Sequence, residues 1–180
     1  MISPVIAPSP VSSDVSTAIA EHASALQDFM ETARRVPDSR WDAAPAAGAW
    51  SPAQIAEHLR LTYVVVGEQL AGGVGLRVRT PWWIRPLIRW RFLAGILQQG
   101  RIPAGARAPR EIRPGDGPFP RASLLASLAQ EARHTQEALA SRWNDHGCVM
   151  THHVFGDLTP PQAMRFAAVH LRHHAKQLGA

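Results

Sequence analysis

Residues 50–70, WSPAQIAEHLRLTYVVVGEQL, decide how the rest of the chain reads. Ser51 stands at the N-cap, Pro52 at the first helical position and Gln54 at the third, so side chains and orphan backbone N–H groups can satisfy one another. The spacing predicts a helix over about 52–71. Val64, Val65 and Val66 favour strand locally, but they lie inside a capped helical pattern that outweighs them. Ile55, His58, Leu59, Thr62 and Val66 share its apolar face.

Working outward, Thr159-Pro160-Pro161-Gln162 repeats the same grammar and predicts a helix over about 160–178. Val15, Ile19, Leu26, Phe29, Ala33 and Val36 recur at helical steps, predicting a helix from about Ser13 until Pro37 ends it. Leu124, Leu125, Leu128, Ala132, Leu139 and Trp143 do the same over about 120–143. No segment alternates with period two over enough residues to predict a strand. The expected class is all-α, a four-helix bundle, with a flexible N-terminus over 1–12 and one domain over 13–178.

The connections bear on topology. Residues 37–50 and 144–158 are short links, whereas the 48 residues from Gly72 to Phe119 can carry the chain back to the opposite end. The second and third long helices can then run parallel. Within that crossover, Pro81–Leu97 (PWWIRPLIRWRFLAGIL) is apolar enough for a short extra helix interrupted by Pro86, and Gly100–Pro120 reads as an extended surface strip.

Composition narrows the chemistry. At 180 residues and 46% hydrophobic, the chain can close one core unaided. A single cysteine, Cys148, excludes an intrachain disulfide and any multi-cysteine metal site, so a metal would rest on histidine or carboxylate. The start, MISPVIAPSPVSSDV, has no basic n-region and no continuous apolar run, and no stretch approaches the roughly 20 apolar residues of a membrane span. The expectation is a soluble, reduced, cytoplasmic protein. Its net charge of +5 belongs to one segment: residues 72–121 hold ten arginines against Glu111 and Asp116, a local +8, while the remainder is −3. A whole-protein polyelectrolyte is therefore excluded.

Nine histidines require faces. His170 and His174, four apart on the last helix, share a stripe with Ala163, Phe166, Ala167, Leu171 and Leu178 and point inward. His58 lies on the apolar face of the second helix. Three imidazoles from two inward faces suit zinc or another divalent metal and leave positions open; the competing reading is three hydrogen-bonded core residues. His173 lies about 100° from His174 and is set apart from that site. His22 reads as a satisfied core imidazole, and His134 and His146 as surface residues. Gln54, one turn before His58, and Gln177, three after His174, are candidates to hydrogen-bond a histidine or ligand, and His152 is a weaker candidate for the same supporting role. Glu57 is read as solvent-facing rather than as a catalytic base.

The run from Trp50 to Leu59 resembles the W-S-x-x-x-x-x-x-H-L opening of the second helix in DinB-like proteins. His152-His153-Val154-Phe155-Gly156-Asp157-Leu158-Thr159 and His170-Leu171-Arg172-His173-His174-Ala175-Lys176-Gln177 resemble their H-P-x-F-G-x-L-T and H-x-x-H-H-x-x-Q elements. Motif order and the long crossover match over roughly 13–178, with His153 in place of the usual proline. The resemblance implies an up-down-down-up bundle, a divalent metal (zinc first; nickel, manganese or iron as alternatives) on His58, His170 and His174, and often a homodimer.

What the family does is less uniform: it includes thiol S-transferases, an isomerase and hydrolase-like proteins. The leading expectation is a metal-dependent enzyme acting on a small molecule, most concretely with a low-molecular-weight thiol; a non-catalytic metal-binding or stress-response module and a metal-dependent hydrolase are the alternatives. Arginines 77–113 could clamp a thiol's carboxylates, against the favoured reading that they are solvated and that Trp82, Trp83 and Trp90 cap the bundle. A third class takes Pro81–Leu97 as an interfacial membrane segment or nucleic-acid patch. Pro86 and the absence of a recognised nucleic-acid motif count against it, so no nucleic-acid partner is expected.

Overall fold

A computed structural model describes residues 10–103, 108–147 and 150–179. Arg107, Cys148 and residues 1–9 of the expected flexible N-terminus lie outside them. Four long helices carry the fold: α1 (Pro10–Arg35), α3 (Pro52–Leu70), α6 (Arg121–Ser141) and α7 (Pro160–Leu178). A short α2 (Asp38–Trp41) sits in the first link. The cap grammar is realised: the Gln54 N–H donates to Ser51 Oγ at 3.2 Å while the Ser51 N–H donates to Gln54 Oε1 at 3.0 Å. At α7 the Thr159 N–H donates to Gln162 Oε1 at 3.2 Å.

Cross-helix bonds give the directions. Asp14 meets Arg165 and the Glu21 carbonyl meets Arg172, so α1 and α7 run parallel. The Tyr63 carbonyl accepts from Thr135 and the Leu70 carbonyl from Arg142, so α3 and α6 run parallel too. The short link turns α1 back into α3, and Trp41 Nε1 donates to the Phe119 carbonyl, tying that end to the start of α6. The order is up-down-down-up. Phe29, Leu59, Leu128 and Leu171 centre one buried cluster; Leu139, Met164, Phe155 and Leu158 centre a second at the other end.

Two features depart from the sequence reading. The last link holds a hairpin, β1 (Met150–His152) and β2 (Gly156–Leu158), antiparallel with Thr151 opposite Asp157. Strands this short contain no readable period. They are stabilised from outside, where the Gln69 side chain bonds both the backbone and the hydroxyl of Thr151. In the crossover, Pro86 does not interrupt a helix but occupies the first turn of α4 (Arg85–Ile88), where a missing N–H costs nothing. The helix continues through a π-helical turn (Arg89–Leu93) into α5 (Ala94–Gln99), which Gly100 ends at φ +64°. A 3-10 turn (Arg110–Ile112) lies beside α3.

Candidate metal centre

His58 on α3 and His170 and His174 on α7 converge, each offering one ring nitrogen, all within 4.8 Å of one another. His170 Nε2 lies 3.2 Å from His58 Nε2 and 3.0 Å from His174 Nε2. The helical period explains the pairing on α7, and direct contact between α7 and α3 brings that stripe to His58.

The far side of each flanking ring is held. His58 Nδ1–H donates to the Ile112 carbonyl at 2.7 Å, and His174 Nδ1–H donates to Gln177 Oε1 at 2.7 Å. In neutral imidazoles this leaves both Nε2 lone pairs directed at His170. His170 Nε2 carries at most one proton, which serves only one neighbour; a cation serves all three lone pairs together. Nitrogens 2.0–2.1 Å from a tetrahedral zinc lie about 3.3 Å apart, close to the two separations measured from His170 Nε2. The donor set fits a divalent metal.

Electrostatics agree with neutral rings. Burial lowers the pKa of His58, pushes His170 well below its ordinary value with the neighbouring His174 and His58 adding to the effect, and takes His174 to about 3. Deprotonated imidazole is the form a metal binds.

Of the supporting candidates, Gln177 holds His174 and also donates through Nε2 to His173 Nε2 at 3.1 Å, so His173 is coupled to the site at one remove. Gln54 does not reach His58; besides its cap it donates to the Gly115 carbonyl. His152 Nδ1 accepts the N–H groups of Val154 and Phe155, closing the hairpin turn, and its ring stacks on Phe155. Burial lowers its pKa to about 3. The Ile112 carbonyl had no sequence signal, being a backbone atom 54 residues from His58.

Two other readings meet the structure. His22 is a satisfied core imidazole, donating to Gln136 and accepting from the Tyr63 hydroxyl at 2.7 Å. Glu57 is not solvent-facing: it is 8% exposed and paired with Arg60 at 2.6 Å. α3 is covered on several sides, by α6, α7 and the 3-10 turn, so its buried surface is wider than one stripe.

A cavity of about 1320 Å³ opens from the histidines between the hairpin and the crossover. Its wall is mainly aliphatic and aromatic, including Val66, Ile88, Phe92, Ile96, Phe155 and Phe166, with His152 and His153 among the polar groups. Arg113 also lines it, whereas Arg85 and Arg89 are spent on backbone carbonyls of Thr80, Phe155 and Asp157. Trp82, Trp83 and Trp90 do not cap the bundle; they are exposed.

A sequence profile described as the DinB superfamily matches residues 21–178. No curated protein and no solved structure matches the chain significantly.

Proposed function

The chain belongs to the DinB superfamily, and from that premise we propose that it is a metal-dependent enzyme acting on a small molecule, with one divalent metal on His58, His170 and His174. The observation that carries this is the convergence of three Nε2 atoms whose flanking rings are oriented by Ile112 and Gln177. We further propose thiol-dependent S-transferase-type chemistry. When bound, the metal supplies the Lewis acidity that lets a thiol or water act as a nucleophile near neutral pH.

The chain's own residues supply the rest. Ile112 and Gln177 hold the ring tautomers. Phe155, Phe166 and Val66 give the cavity a largely apolar wall, suited to an apolar electrophile. Because His152 accepts two backbone N–H groups at Nδ1, its neutral tautomer carries the proton on Nε2, a fixed donor at the cavity wall. Arg113 is the one cavity-lining arginine among the described residues of 77–113, and is the candidate partner for a thiol's carboxylate.

The test is elemental analysis of tag-free protein with alanine at His58, His170 or His174. The control is His134→Ala, since His134 is exposed, whereas His173 touches Gln177. About one metal per chain, lost in each ligand variant and kept in the control, is expected, followed by turnover in panels of thiols with apolar electrophiles. No uptake of zinc, nickel, manganese or iron would end this reading. A loaded protein without turnover on thiol or hydrolytic substrates would leave a non-catalytic metal-binding module.

A further inference from the structure

The crossover helix has two opposed apolar stripes. One, Ile88 and Ile96 with Phe92, lines the cavity. The other is uncovered among the described residues: Trp82 is 77% exposed, Trp83 67%, Leu87 58% and Trp90 73%. Leu87 and Trp90, three residues apart, share one side of the helix, and Trp82 and Trp83 lie in the turn that leads into α4. Arg89, on the same helix, is turned inward and bonded to the Phe155 and Asp157 carbonyls, which fixes the helix on the hairpin and keeps the outer stripe facing solvent.

A concentration of exposed large apolar side chains on an otherwise well-packed bundle marks an interaction surface. Its surroundings say which kind. Arg77, Arg79, Arg91 and Arg101 are exposed along the same crossover, and residues 72–121 contain no acidic side chains except Glu111 and Asp116. Two copies of this face apposed about a twofold axis would bring like charges together, because a twofold interface matches a patch with itself. An anionic lipid surface neutralises the arginines and accepts indole rings at headgroup depth. No described helix is long and apolar enough to cross a membrane, so the association is one of lying on the surface.

We propose that the segment Pro81–Gln99 docks this protein on an anionic lipid bilayer, inserting Trp82, Trp83, Leu87 and Trp90 among the headgroups while the flanking arginines contact lipid phosphate and carboxylate. Because Ile88 and Ile96 on the opposite side of the same helix line the cavity, docking places α4 and α5 between that cavity and the bilayer. The inference stands apart from the metal site, since it draws on none of the three histidines.

The experiment is co-sedimentation of full-length protein with vesicles of phosphatidylcholine plus phosphatidylserine and with vesicles of phosphatidylcholine alone, read together with tryptophan emission. Binding to the anionic vesicles, a blue-shifted emission and weakening on added salt are expected. Trp82→Ser, Trp83→Ser and Trp90→Ser combined should abolish the shift and lower partitioning at least about tenfold, with the far-UV spectrum and metal content unchanged. Arg77→Glu with Arg91→Glu should lower it by about fivefold or more for each charge removed, leaving the indoles in place. The proposal is overturned if anionic vesicles bind no better than neutral ones, or if the tryptophan variant binds as the parent does. It is overturned equally if the same tryptophan changes dissociate a dimer, or release duplex DNA, while vesicles are not bound.

Discussion

Gln177 is where a single side chain should matter most without being a ligand. Its Oε1 accepts from His174 Nδ1 and its Nε2 donates to His173, so it sets which His174 nitrogen faces His170. Gln177→Ala is expected to weaken metal binding about 10- to 100-fold by competition titration, with little change in thermal midpoint because Gln177 is exposed. Gln177→Glu, which keeps the acceptor, should restore most of the affinity. A residue that merely packed would show neither the loss nor the rescue. The three histidines were legible because helical spacing is local: i and i+4 share a stripe whatever the rest of the chain does. Glu57 was misread on the same logic, since the angle from His58 was right but the assumption that only one face of α3 is covered was not. The Glu57–Arg60 spacing of three was the available signal.

At the scale of elements, the two capping boxes are the most transferable part of the reading. Ser51→Ala removes the acceptor for the Gln54 N–H at the start of α3. It is expected to cost about 1 kcal/mol, a fall of about 2–4 °C in melting temperature. Because His58 lies about two turns further along that helix, metal affinity should fall by less than in Gln177→Ala, a comparison one titration series resolves. The hairpin and the crossover helix were read less well for different reasons. β1 and β2 are each too short for alternation to be seen, and their hydrogen bonds to Gln69 and Arg89 come from distant segments. The Trp/Arg stretch was read correctly as helical, yet its composition suits a bundle cap and an outward face alike; only packing shows which indoles are covered.

Across the whole molecule, buried histidines make stability depend on pH. His22, His58, His152, His170 and His174 all titrate below their ordinary value of 6.5 when folded. On unfolding they regain it, so below about pH 6.5 the unfolded chain binds more protons, and the metal-free protein should lose stability progressively as pH falls from there towards 3. Urea midpoints measured at several pH values check this; a midpoint that stays flat or rises between pH 6.5 and 4.5 would contradict it. Metal binding should raise the whole curve at neutral pH and lose its effect on acidification, as ligands protonate. The sequence by itself determined what rests on local periodicity and on helix-end chemistry: four long helices, their approximate ends, the inward histidines and a crossover long enough to make α3 and α6 parallel. Only the tertiary structure decided what depends on atoms far apart in the chain. Those are the Ile112 carbonyl that orients His58, the burial of Glu57, the cavity between hairpin and crossover, and the outward turn of the tryptophans. Each is set by which surfaces the packed helices leave uncovered, and a one-dimensional pattern carries no record of that.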